Sequence, residues 1–185
     1  MDEVRSEPAA GLRLQRVRQA IRSVPDFPEP GILFRDITPV LSNAELFGDA
    51  VGQLAAPFDS MPPDVVVAIE SRGFLFGAPL ALRWGASLVP VRKPGKLPAR
   101  TRREEYSLEY GTSVLEIHLD ALAPGSRVVI VDDLLATGGT ASAARRLVES
   151  LGGIVAGFSF LVELEALQGR TELGSAAPVH SAIVF

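Results

Sequence analysis

The stretch RVVIVDDLLATGGTASAARRLVESLGGIVAGFSFLVEL, Arg127–Leu164, decides the fold. Its first five residues are β-branched apart from Arg127 and bounded by polar positions, the pattern of a strand buried on both faces. TASAARRLVESLGG follows with helical composition and is closed by Gly152 and Gly153. IVAGFSFLVEL is again an apolar strand. Strand, helix and strand joined by short loops make parallel neighbours, so the chain is read as an α/β domain with a mainly parallel twisted sheet flanked by helices.

The rest of the chain extends this reading in both directions. DVVVAIE predicts a second buried strand, FLFGAPLALRWG a helix and SLVPV a third strand. From Tyr106 to Leu119, Leu115, Ile117 and Leu119 alternate with Glu116 and His118, which predicts one or two antiparallel strands with a solvated face. Towards the N-terminus, Leu14, Val17 and Ile21 recur at helical spacing within Gly11–Ser23. Residues 1–10 are expected to be a disordered tail. Four prolines and a glycine in VPDFPEPGILFRDITPVL predict an irregular segment. Ser42 with Glu45 predicts a capping box for a helix running to about Ala56.

Composition bounds the function. With 185 residues, 47% hydrophobic and 22% charged, the chain is expected to form one globular domain. The absence of cysteine excludes disulfides, thiolate metal sites and a cysteine nucleophile, and suits a cytoplasmic setting. No window has the roughly 18–20 uninterrupted apolar residues of a membrane span, and the N-terminus lacks the apolar core of a signal peptide. A net charge of −4 speaks against nucleic acid as the partner. Charge is uneven, however. Arg92, Lys93, Lys96, Arg100, Arg102 and Arg103 are six of the 18 basic residues, uninterrupted by an acid.

The loop after VVIV carries the chemistry. Ligands of open α/β sheets bind where loops leave the carboxyl ends of strands. Gly138 and Gly139 allow backbone N–H groups to approach an anion, a helix starting near Thr140 adds its N-terminal partial charge, and Thr137 and Thr140 add hydroxyls. Such a loop suits a phosphate monoester. It is neither a Walker loop, which needs Lys-Ser or Lys-Thr after the glycines, nor G-x-G-x-x-G. Asp132 and Asp133 would repel the phosphate, and so are read as accepting hydrogen bonds from sugar hydroxyls or holding hydrated Mg²⁺. The alternative is a strand cap followed by a simple turn.

Asp-Asp-Leu-Leu-Ala-Thr-Gly-Gly-Thr after an apolar strand resembles the 5-phosphoribosyl 1-diphosphate signature of type I phosphoribosyltransferases. PDFPEPGILFRDITPVL, ESRGFLFGAPLA, RKPGKLP and YSLEYGTSVLEIHLDAL, in that order, resemble the adenine-specific branch of the family over roughly residues 12–165. The resemblance implies the type I fold, with an N-terminal base-binding hood within residues 11–41 and a mobile loop over 95–110, whose part Arg100–Tyr110 closes over the reactants. It implies transfer of a phosphoribosyl group to adenine, giving AMP and diphosphate, with Mg²⁺ held mainly by substrate and no direct protein ligand assigned.

Position by position, the resemblance puts Asp132 and Asp133 on the ribose, and Ala136, Thr137, Gly138, Gly139 and Thr140 on the 5′-phosphate. Ser71 and Arg72 fall in a diphosphate loop in which Ser71 follows an often cis peptide. Arg92, Lys93 and Lys96 surround the leaving diphosphate, and the position of Arg92 implies a homodimer. Glu109 is implied as the carboxylate exchanging a proton with the purine, with Tyr110 beside it. Leu33, Phe34, Arg35 and Leu134 would hold adenine, Phe34 and Leu134 by their faces and Leu33 and Arg35 by backbone groups. Each has a plainer alternative: core packing for Phe34, a surface residue for Arg72 or Glu109, a solvated basic loop for Arg92–Lys96. His118 and His180 form no constellation. Competing functions are transfer to another purine and a catalytically silent regulator that senses phosphoribosyl diphosphate, which would usually need a DNA-binding domain.

Overall fold

A computed structural model describes the backbone of residues 7–108 and 111–185, and the side chains of 11–106 and 111–185. The chain divides into two compact units, Met1–Gln53 and Leu54–Phe185.

In the first unit, helix α1 (Glu7–Ala20) begins before the expected start at Gly11. An acid at the first position, Pro8 in the first turn and two alanines all favour a helix start there. The Pro-rich segment, expected to be irregular, contributes an antiparallel pair, β1 (Arg22–Pro25) and β2 (Leu33–Asp36). Between them Asp26 Oδ1 accepts the Gly31 N–H at 2.7 Å, and Gly31 has φ +88°, so the turn uses an Asx bond and a glycine where the backbone is left-handed. Asp36 then accepts the N–H and hydroxyl of Thr38, both at 2.9 Å, at the start of α2 (Thr38–Leu41).

Helix α3 (Ala44–Ala55) corrects the capping expectation. Ser42 closes α2, with its N–H on Thr38 O and helical φ −78°, ψ −5°. That conformation leaves it unable to serve as the N-cap of the next helix. Asn43 takes the role instead, its Oδ1 accepting the N–H groups of Glu45 at 3.0 Å and Leu46 at 3.1 Å.

The second unit is built on a five-stranded parallel sheet. Its strands are β3 (Val65–Ile69), β4 (Ser87–Val91), β7 (Arg127–Leu135), β8 (Ile154–Glu163) and β9 (Val179–Val184). Their spatial order is β4-β3-β7-β8-β9. From β3 the chain passes through α4 (Gly73–Trp84) to β4 on one side; from β7 it passes through α5 (Gly139–Ser150) to β8 on the other. Right-handed crossovers in opposite directions place the two helices on opposite faces. The side chains of β3 divide accordingly: Val65, Val67 and Ile69 join the cluster of Leu147, Val148 and Phe158, while Val66 and Ala68 meet α4 at Gly77. Both faces of β3 are therefore dry, which explains its unbroken apolar run.

An antiparallel hairpin, β5 (Thr101–Leu108) and β6 (Gly111–His118), packs on the α5 face through Tyr106, Leu115 and Ile117. Its outer face departs from the expected alternation. Glu116 is only 2% exposed, because Arg103 lies 2.6 Å from Oε1, Gly95 N–H donates to Oε2 at 3.1 Å, and the backbone of Arg92 bridges to it. The segment after Glu165 adds helix α6 (Gly169–Leu173) and strand β9.

Replacement Asn43→Ala is expected to lower unfolding free energy by about 1 kcal/mol in urea titration, whereas Ser42→Ala should stay within about 0.5 kcal/mol of the parent.

Candidate active site

Strands β3, β4 and β7 run parallel in register, Ile69 beside Val91 and Ala68 beside Val131. The loops that leave their carboxyl ends therefore meet at one edge of the sheet. Between β3 and β7 the chain turns away in opposite directions, so a crevice opens there, as expected at a topological switch point. A cavity of about 390 Å³ occupies the crevice, and its walls include Ser71, Arg72, Lys93, Asp132, Asp133, Leu134, Ala136, Thr137, Gly138 and Thr140. Sequence reasoning had singled out all ten.

The β3 loop is short. The Glu70–Ser71 peptide is cis, as the resemblance implied, and Arg72 immediately precedes α4. Gly73 is required by close approach: a Cβ there would stand 2.8 Å from Val131 O and 3.0 Å from Asp132 Oδ1. This contact sets the N-terminus of α4 against the acids of β7.

Those acids do not end the strand, as the sequence suggested; β7 continues through both to Leu135. Asp133 is 5% exposed and accepts a short hydrogen bond from Arg72 Nε. Asp132 keeps some accessible surface and accepts the Asp133 N–H on Oδ1 at 2.8 Å. Desolvation, and next the charge of Asp133, push the Asp132 carboxyl well above the ordinary carboxylate range, against the pull of that N–H and of Arg72.

Beyond Leu135 the loop turns at Gly138, where φ is +87°, and delivers the N-terminus of α5 to the cavity. Its back is closed by α6. A Cβ at Gly138 would collide with Gly169 O, and one at Gly169 with Ala136 O. Helix α6 is itself fixed: Arg170 donates from Nε and Nη2 to Glu163 at 2.7–3.0 Å and from Nη1 to Val179 O at 2.7 Å.

Sequence reasoning missed several members of the wall, among them Tyr106, Ser113 and Leu115; Glu70, in the turn matched to the diphosphate loop, lines it too. The hydroxyl of Thr140 donates to Tyr106 Oη at 3.3 Å, tying the hairpin to the first turn of α5. An aromatic inside the charged run TRREEYSL was the available signal for it. Arg92 and Lys96 do not line the cavity; both bind Glu70, which does. Gly139 opens α5. Leu33, Phe34 and Arg35 lie on β2 in the first unit, where the Phe34 ring meets that of Phe27 edge-on at 5.1 Å. Glu109 and Tyr110 lie outside the described residues.

Among the described residues no three His, Asp or Glu side chains gather as a metal cluster. Asp132 and Asp133 nevertheless supply the hard oxygen donors that suit Mg²⁺. Chemically, the cavity joins a glycine loop at a helix N-terminus, three carboxylates, Glu70, Asp132 and Asp133, and two cations, Arg72 and Lys93.

The raised Asp132 carboxyl has a consequence for stability. Its favourable contribution is full below the unfolded value near 3.8 and is lost as pH rises through the raised folded value. At neutral pH its charge thus opposes folding. Asp132→Asn, which keeps an acceptor for the Asp133 N–H, is expected to raise Tm by roughly 2–4 °C at pH 7, with the gain shrinking towards pH 4 in a pH series of melting curves.

Residues 41–171 match the family model described as the phosphoribosyl transferase domain. The adenine phosphoribosyltransferase of Sorangium cellulosum is 56% identical over 176 residues, 93% of this chain and 88% of its own. The crystal structure of adenine phosphoribosyltransferase from Rhodothermus marinus superposes with TM-score 0.91 at 54% identity, covering 95% of this chain and 99% of that one. The Saccharomyces cerevisiae enzyme, solved with an imino-altritol bisphosphate and adenine, gives 0.87 at 42% identity, covering 93% and 99%. The chain belongs to the phosphoribosyltransferase family, and within it to the adenine phosphoribosyltransferases.

Proposed function

We propose that the protein transfers the 5-phosphoribosyl group of 5-phosphoribosyl 1-diphosphate to adenine, giving AMP and diphosphate in purine salvage. One observation carries the reading: a glycine loop at a helix N-terminus, three carboxylates and two cations line a single cavity at the switch point, in a chain whose relatives bear that activity in their names.

The proposed division of labour follows from charge. The Ala136–Thr140 loop and the α5 N-terminus take the 5′-phosphate. Asp132 and Asp133 face the ribose, where the anomeric carbon becomes positive as its bond to oxygen breaks. The electron pair departs with diphosphate, and Ser71, Arg72 and Lys93, with Arg92 and Lys96 behind them, stabilise the growing negative charge. A ring nitrogen of adenine forms the new bond, and the proton it sheds goes to a carboxylate, for which Glu109 is proposed, with Tyr110 next to it. Bound Mg²⁺ would neutralise diphosphate oxygens, reached through water by Asp132 or Asp133. Arg72 is paired with Asp133, so diphosphate on the same guanidinium would exchange one anion for another.

Adenine is assigned to Leu33, Phe34, Arg35 and Leu134. The half-buried Phe34 ring offers a stacking face, and backbone groups distinguish a 6-amino from a 6-oxo purine because the wrong base leaves them unpaired. The hairpin that begins at Thr101 is assigned the closing role within residues 95–110. A homodimer belongs to the same proposal, supported by Leu75 and Leu82, seven residues apart on α4 and 43% and 85% exposed. So does a cytoplasmic location, supported by a cysteine-free sequence.

The activity is tested by incubating the protein with Mg²⁺, phosphoribosyl diphosphate and each purine in turn. AMP and diphosphate from adenine are expected; product from another purine and none from adenine would overturn the assignment. The contact between α6 and the loop gives a narrower test. Gly169→Ala should displace the loop at a cost of the order of 1–3 kcal/mol, raising KM for phosphoribosyl diphosphate by about tenfold while leaving KM for adenine unchanged.

A further inference from the structure

Tyr106 belongs to two environments at once. Its ring joins the core cluster of Leu115 and Ile117 and the residue is only 9% exposed, yet it lines the cavity beside Thr140 and Ala141. The hydroxyl is the end that reaches the glycine loop, with Tyr106 Oη 3.3 Å from Thr140 Oγ1. Core packing does not require that oxygen, since the ring of a phenylalanine would fill the same space. The ribosyl transfer proposed for this cavity also leaves the phenol without a task.

Strand β5 does not depend on this hydroxyl for its place. Two residues before Tyr106, Glu104 Oε1 accepts Arg146 Nε at 2.5 Å, and Arg146 Nη1 donates to Ser142 Oγ at 3.0 Å. An ion pair thus fastens β5 to α5, and β6 runs beside it with Ser113 opposite Tyr106. The phenol is presented to Thr140 by a strand that is already anchored.

The sense of the hydrogen bond follows from the ligand assigned to the loop. The oxygens of an ionised phosphate monoester accept hydrogen bonds, whereas Thr140 has one hydroxyl hydrogen and two lone pairs. If that hydrogen goes to Tyr106, Thr140 turns a lone pair to the phosphate and two acceptors oppose each other. If Tyr106 donates instead, Thr140 accepts from the phenol and keeps its hydrogen for the ligand. Both senses fit the same oxygen positions, because each hydroxyl rotates. The phenol is the stronger donor of the two, and hydrogen bonds in series reinforce one another.

We infer that Tyr106 is a positioning residue for the phosphate, its O–H donating to Thr140 Oγ1 and aiming the Thr140 hydrogen at a 5′-phosphate oxygen. This rests on the reading of Ala136–Thr140 as the phosphate loop. Because Tyr106 acts through Thr140, it bears on the phosphate end of a ligand and not on the base.

Tyr106→Phe removes only the phenol oxygen. Calorimetric titration of the folded variant with AMP is expected to give a dissociation constant roughly three- to tenfold higher than the parent's, while the value for adenosine, which lacks the phosphate, stays the same. In a Thr140→Val background, Tyr106→Phe should cost nothing further. A hydroxyl that merely held the cavity wall would weaken both ligands, and in either background. In a crystal structure of the parent with AMP, Thr140 Oγ1 should lie within about 3 Å of both a phosphate oxygen and Tyr106 Oη. The role is overturned by an unchanged dissociation constant for AMP, by an equal loss for adenosine, by an equal loss without the Thr140 hydroxyl, or by Thr140 on the phosphate with Tyr106 out of reach. A parent that binds AMP no more tightly than adenosine would instead defeat the phosphate reading beneath it.

Discussion

The parallel pairing of β3 with β7, Val65 beside Val128 through Ala68 beside Val131, is the constraint on which the site depends. Val65–Ile69 of the first and Val128–Val131 of the second are buried on both faces and contain no polar residue. Each then changes character abruptly, one into Glu70-Ser71-Arg72 and the other into Asp132-Asp133. Because the chain leaves them in opposite directions, no helix covers the gap above their ends. The polar groups therefore share one crevice, and Gly73 brings the backbone of α4 within reach of the acids.

What this arrangement creates is a set of carboxylates and cations gathered at one edge of the sheet. Asp132 is pushed up by desolvation and by the neighbouring Asp133. Asp133 is paired with Arg72, and Glu70 with Lys96 and Arg92. Two of the three carboxylates at the cavity wall are thus neutralised within the protein. Buried ion pairs of this kind contribute little net stability, because desolvation offsets most of their attraction. What they contribute is position: Glu70, Arg72 and Asp133 are held at the cavity wall.

Much of this was legible in the sequence because local pattern and tertiary role coincide. The apolar runs of β3, β7 and β8, the helix closed by Gly152, and the order of the five motifs single out ten of the residues that line the cavity. The misses share a physical cause: a partner distant in sequence overrode the local pattern. Glu116 sits at a position whose alternation predicts solvent, yet Arg103 and the Arg92–Gly95 loop cover it. Ser42 has the right spacing for a capping box, but its backbone belongs to the preceding helix. No periodicity reports that Gly169 must lack a Cβ because Ala136 O is behind it.

The C-terminal segment shows why such contacts matter to the chemistry. A phosphate loop must present N–H groups in one direction, and a loop of small residues has little of its own to hold it there. Here its rear surface rests on the backbone of α6, with Gly138 and Gly169 each forbidden a side chain by the other's neighbourhood. Helix α6 is clamped by Arg170 to Glu163 at the end of β8, and by Arg145 Nη1 to Leu173 O from α5. On the opposite side, Tyr106 meets Thr140, and Arg146 meets Glu104 at 2.5 Å. The first turn of α5 is thus held between the hairpin and the C-terminal helix. Neither contributes a residue to the phosphate signature, and together they give that signature a fixed shape. Movement of this turn therefore bears on the hairpin, and movement of the hairpin on the turn, through the hydroxyls of Thr140 and Tyr106.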